Sequence, residues 1–344
     1  GIIHAMGLSP EAIYRFEKRA PAFLDSIRPR LKIELVDSEF ADIDRGRKYA
    51  EELRDWNAAF SHFYTVMIGD ERPYVERTDA AIWASQMLIN MSRLRDAKQM
   101  LEMASNAFDP KISGNDSLSF RARVNEKHAW ISDYRVKPKE ELRYFETAES
   151  YALGIPEEAR DEDIKKLLST IEHFRGRAHF VLAWSGEDKE INLREALKSF
   201  ERDLGNYMRV REAGKPDPQG EGFNHIWIAR CYIYGGNFDL TDEEIGKGLT
   251  SFKEEIERNP LKRDLLAHYH LVRAEYFIML GNPKLAIIES ERALAIRLEK
   301  KPNFPKGQIE ALAIMALASW QDRNLGYAFV CGRRALQIVK NLRS

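Results

Sequence analysis

Three observations predict an all-α chain built from repeated antiparallel helix pairs. Apolar–polar alternation reaches five positions at only a few places, such as Leu31–Leu35 and Ser117–Asn125, too few to build a sheet of half-buried strands. Small residues recur at Ser85, Ala129, Ala178, Ala229, Ala274 and Ala316, at spacings of 44, 49, 51, 45 and 42. Each lies inside an amphipathic stretch of helical length, the signature of a repeat array. Gly, Asn and Pro fall between such stretches, as in Leu280-Gly281-Asn282-Pro283. Gly and Asn end a helix by tolerating positive φ, and Pro opens the next at its first turn.

From the N-terminus, the chain opens on Gly1 rather than Met, so residues 1–8 are expected to be a leftover or disordered start, with a native beginning near Met6. Ser9-Pro10-Glu11 reads as a helix N-cap with Pro in the first turn, and Pro21 and Pro29 break the opening region into short helices. Asp37 to Met67 reads as one long helix carrying Arg45, Tyr49, Leu53, Trp56, Phe60 and Phe63 on roughly one side. Residues 9–73 are therefore expected to form an N-terminal helical cap or a divergent repeat, since arrays need their ends covered. Residues 74–343 are read as about six helix pairs.

The clearest copy is His268 to Arg297, where Ala274 on the first helix answers Ala286 and Ala293-Leu294 on the second. Ala274 and Ala293 are expected to meet across that pair. Leu312, Met315, Ala316 and Trp320, then Asn324, Ala328 and Ala335-Leu336, repeat the pattern, and Ala293 to Ala335 is 42 residues. Degenerate copies run backward. Ala229 precedes Gly235-Gly236-Asn237; Ala178 pairs with Ala196 and Phe200; Ala129 pairs with Ala148; Ser85 pairs with Ala97 and Ala104.

These positions resemble the tetratricopeptide repeat family, at the places that family fills with small residues. The stretch Arg292 to Arg297 with its Pro-containing loop is similar to the long-helix, roughly 42-residue variety of kinesin light chains and bacterial regulatory proteins. The resemblance implies a right-handed α-α superhelical solenoid whose concave groove is lined by first helices. On the family's ligand-facing positions it places Arg123, Glu126, Trp130, Asp133 and Tyr134, then Arg175 and His179, then Arg230 and Tyr234. His268, Glu275 and Met279 come next, and last Trp320 and Gln321. Arg and aromatic residues together suit a protein or peptide partner: the rings bury area and Arg supplies forked hydrogen bonds. Family members that clamp a chain-terminal carboxylate use Lys and Asn. The matching positions here hold His268, Leu271 and Glu275, or Glu310, Ala313 and Leu317, which speaks against that clamp.

Composition narrows the function. With 53 basic and 54 acidic residues the net charge is −1, no global nucleic-acid signature. The charge is uneven: residues 261–344 hold 14 Lys/Arg against 7 Asp/Glu, and residues 139–170 hold nine acids against five bases. Opposed charges of this kind could support contact between copies, so a homo-oligomer is one expected partner. Arg15, Lys18, Arg19, Arg28, Arg30 and Lys32 form a basic cluster, but without interleaved aromatics nucleic acid is not favoured. No window of 18 apolar residues occurs, so no transmembrane helix is expected. Two cysteines cannot make a disulfide framework and point to a reduced, cytoplasmic setting.

No HExxH, GxxxxGK[ST], GxGxxG or GxSxG motif occurs. His268 and His270, two apart on a helix, cannot share a metal. Cys231 and Cys331 lie among small residues and read as packing. The acids at 157–163 read as complements to the N-terminus of the next helix. The expectation is a chain that is not an enzyme and needs no cofactor: a scaffold gripping a protein or peptide in its groove. The alternative is a regulatory or sensor domain of a bacterial signalling or effector protein, taking a peptide or small molecule and controlling an attached domain.

Overall fold

A computed structural model describes residues 36–53, 55–135, 137–300 and 305–343. The expected N-cap at Ser9, the breaks at Pro21 and Pro29 and the basic cluster from Arg15 to Lys32 lie outside these. The described residues hold fourteen α-helices and no strand. In order they are α1 (Ile43–Lys48), α2 (Trp56–Ile68), α3 (Tyr74–Asn90), α4 (Leu94–Phe108), α5 (Gly114–Tyr134), α6 (Pro138–Leu153) and α7 (Glu162–Trp184). The second half holds α8 (Lys189–Glu212), α9 (Pro218–Gly235), α10 (Phe238–Arg258), α11 (Leu265–Met279), α12 (Pro283–Lys300), α13 (Pro305–Gln321) and α14 (Leu325–Arg343). Odd-numbered helices are the first members of pairs and even-numbered ones the second. The chain divides into two compact units, residues 1–168 and 169–344.

The long helix expected over 37–67 is not formed. A 3-10 turn at Ser38–Phe40, α1, a π-helical turn at Tyr49–Leu53 and α2 take its place. Two aspartates impose the breaks: Asp42 accepts from Arg45 N at 2.9 Å and Asp55 from Ala58 N at 3.0 Å. Each therefore starts a new helix by satisfying an amide that the first turn leaves unpaired.

In the first unit α2 supplies Phe60, Phe63, Tyr64 and Met67, all fully buried against Ala80, Ala84 and Leu88 of α3 and Leu101 and Ala104 of α4. Gly46 allows α1 to close on this core, because a Cβ there would lie 2.7 Å from the Phe63 ring. The same device recurs in the second unit. A Cβ on Gly176 of α7 would lie 2.8 Å from Phe200 of α8, and one on Gly222 of α9 only 2.5 Å from Phe252 of α10. Ala267, Ala274, Ala286 and Ala293 are fully buried in one core between α11 and α12. On α13, however, Ala316 is only half-buried and the fully buried alanines are Ala311 and Ala318. The sixth anchor thus stands two residues from its expected place.

The turns obey the letters. Gly236 and Gly281 take φ of +80° and +69°, and Asn237 N and Asn282 N close back onto Tyr232 O and Phe277 O, the six-to-one bond of a Schellman cap. Between α13 and α14 the left-handed residue is Arg323 at φ +61°. Two pairs are also latched by side chains: His225 Nδ1 lies 2.7 Å from Glu244 Oε2 across α9–α10, and His270 Nδ1 2.6 Å from Glu289 Oε2 across α11–α12. Each latch spans 19 residues, and the two histidines stand 45 apart.

Two consequences can be measured. Ala293 is fully buried, so Ala293→Leu should cost roughly 1–3 kcal/mol by overpacking; an unchanged melting temperature would show that the contact is loose. His128 of α5 stacks on Tyr144 at 5.2 Å, and burial, then the Lys98 charge, hold its pKa below 6.5. Between that lowered value and 6.5 the unfolded chain binds the extra proton, so stability falls as pH drops through this window. His128→Gln should flatten the loss of melting temperature between about pH 7 and about pH 5.

Candidate functional site

In the first unit the first helices are joined by charge. Arg47 of α1 reaches Asp79 of α3 at 3.3 Å and Asp163, at the start of α7, at 3.0 Å. Arg123 of α5 sits between the same carboxylates, at 2.6 Å from Asp79 and 3.5 Å from Asp163. Burial works against the charged form of Arg123, and the two aspartates outweigh it, so its guanidinium titrates above its ordinary range. Arg47 also lies over the Trp83 ring at 5.1 Å, a cation–π contact. Beside this cluster Lys127 holds Glu126 at 2.8 Å and stands 5.5 Å from the Trp130 ring. Burial pulls the Lys127 pKa down against the pull of Glu126. Trp130 and Tyr134 pack against the unit's core.

In the second unit Arg230 of α9 is the centre. Its guanidinium donates to both carboxylate oxygens of Glu275 on α11, at 3.0 and 2.9 Å, and to Glu310 on α13 at 2.5 Å. Three successive first helices therefore meet at one side chain, and α9 packs on α11 and α11 on α13. Arg230 lies over Trp227 at 4.6 Å, and Arg177 of α7 approaches the same ring at 5.5 Å. Burial pushes the Glu275 carboxyl up against the pull of Arg230. Burial, then the Glu275 charge, push the Tyr234 phenol up to about 12. Tyr234 sets its ring edge-on to Phe180 at 5.2 Å.

All fourteen expected groove residues lie on first helices, but the structure gives several of them internal partners. Arg175 pairs with Glu172 on its own helix, and His179 Nδ1 lies 2.8 Å from Asn192 Oδ1 on α8. His268 accepts from the fully buried Arg297 at 2.6 Å and meets the Phe223 ring at 4.9 Å. Trp320 is 63% exposed. Of the acidic run, Asp161 caps α7 by accepting from Ile164 N at 2.8 Å, and Glu162 and Asp163 lie in its first turn. The missed members are Arg47, Asp79 and Asp163, whose only signal is charge of alternating sign at repeat-like separations, and Trp227 as the platform under Arg230.

Cys231 and Cys331 are both buried and free, and burial pushes the Cys231 thiol up to about 12. A thiol held that high is not a nucleophile near neutral pH. Among the described residues no group of three or more His, Cys, Asp or Glu could hold a metal, and no helix is long and apolar enough to cross a membrane.

Stacked helix pairs with charged contacts between successive first helices define a helical-repeat protein of the solenoid class. A solved structure shares this fold: the apo form of RapI superposes with a TM-score of 0.58, covering 90% of this chain and 99% of that one. Its sequence identity is 12%, so the likeness concerns the fold alone. No protein-family model and no curated protein matches the chain.

Arg230→Ala would strand Glu275 in a buried site without its counter-ion. Urea unfolding should show a loss of about 3–5 kcal/mol. A loss below about 1 kcal/mol would mean that water reaches Glu275 and replaces the guanidinium.

Proposed function

We propose that this chain is a non-enzymatic binding scaffold of the long-repeat tetratricopeptide kind, taking a protein or peptide along the face of its first helices. The observation that carries this reading is Arg230 shared between Glu275 and Glu310. The apolar core already holds α9, α11 and α13 together, and buried ion pairs add little net stability once desolvation is counted. Their use is more readily specificity: one guanidinium facing two carboxylates is a set of groups that a partner's charge can enter by exchange. Trp227 and Tyr234 beside it offer area to a side chain. The repeat spacings of 44 to 51 residues support the long-repeat assignment, and the absence of catalytic motifs with two buried thiols supports a binding role. Its place in the cell is proposed as the cytoplasm on the same free thiols.

The test is affinity capture from native lysate with the full chain and with a Glu275→Gln/Glu310→Gln variant whose circular dichroism matches. A protein or peptide held by the wild type and bound at least about tenfold more weakly by the variant is the expected result. Equal retention by both would remove binding from this face. Retrieval of a small molecule and no polypeptide would favour the sensor reading.

A further inference from the structure

Away from the first-helix face, the second unit carries a groove between two second helices. It runs between α12 and α14 with α13 as its floor, and its cavity is about 260 Å³. Leu294 and Leu298 form one wall, Val330 and Cys331 the other, and Leu312 and Met315 the floor. Polar groups mark it too: Tyr327 Oη donates to Glu291 at 2.9 Å, and Arg334 borders the cavity. Val330 is 58% exposed and Leu298 40%, so apolar surface continues out of the cavity onto its walls.

We propose that this groove docks an acidic amphipathic helix of a partner protein, one bulky apolar side chain entering the cavity. Size argues for a side chain rather than a cofactor, because small-molecule sites run to roughly 300–1,000 Å³. Shape argues for a helix: two roughly side-by-side helices with a third beneath leave a trough of the kind an amphipathic helix fills with anchors at i, i+3, i+4 and i+7. Charge fixes the sign of the partner. From Leu325 to Arg343 α14 carries Arg333, Arg334, Lys340 and Arg343 and no acid, within a segment of net +7 (14 minus 7) from residue 261. Arg333 and Arg334 are exposed, placed to meet carboxylates on the flank of a helix seated against Val330. Exposed basic groups at a rim speed encounter and select against basic partners.

The probe is a fluorescein-labelled synthetic helix of about 20 residues, close to the length of α14, with leucines on one face and glutamates on the other. Anisotropy against the full chain should give a Kd of about 10 μM or tighter. Ala295 is an exposed residue of the groove wall, so Ala295→Trp should block the trough without entering the core and weaken the probe at least about tenfold. Arg333→Glu/Arg334→Glu, on surface residues that the fold does not need, should weaken it comparably and abolish its salt dependence. Absence of binding would overturn the proposal, as would equal binding of a probe with lysines for glutamates or alanines for leucines. It would also fall if sedimentation showed a dimer of the chain lost in Ala295→Trp, since a second copy would then be the occupant.

Discussion

Close approach of the two helices in a pair is the constraint on which every longer-range contact depends. At Gly46, Gly176 and Gly222 the first helix offers no side chain, and Phe63, Phe200 and Phe252 of the second helix occupy the space. Elsewhere a methyl group suffices, as at Ala129, Ala178, Ala229 and Ala274. A larger residue at these points would push the pair apart and open voids that no neighbour fills. With the pairs closed, α3 is brought beside α5 in the first unit, and α9 beside α11 and α11 beside α13 in the second. Only then do charges 45 and 80 residues distant in sequence, such as Glu275 and Glu310, meet at Arg230.

The ion clusters in turn act on pairing rather than on shape. Apolar contacts settle where the helices lie, and the buried charges do not add much to that. What they add is direction: a guanidinium with two carboxylates, or two guanidiniums with two carboxylates as at Arg47, Arg123, Asp79 and Asp163, favours one pairing of helices over a slipped one.

The helix pairs are legible in the sequence because small residues and Gly-Asn-Pro turns act locally. Gly281 and Pro283 end and begin helices by their own backbone preferences, whatever the neighbours. The α13 anchor reads two residues out of place since Ala316, Leu317 and Trp320 make a second helical face nearly as apolar as the buried one, and only contact with α12 chooses between them. The broken region before α2 depends on Asp42 and Asp55 as caps, single letters within an otherwise continuous apolar period. The residues expected to line a groove lie on first helices, but their partners are not legible. An ion pair such as Arg230–Glu275 depends on how far one helix slides along the next, and spacing alone does not carry that.

The histidine latches have a bearing on how the chain acquires its structure. His225–Glu244 and His270–Glu289 each close a segment of 19 residues, so a pair can form and hold itself through contacts that a short stretch of chain supplies. Local closure of this kind is fast and involves little loop entropy. The second unit can therefore begin ordering at α9–α10 or at α11–α12 and spread to either side, as repeat arrays do. The Arg230–Glu310 contact, which spans 80 residues, joins only after both intervening pairs are in place and records that assembly is complete.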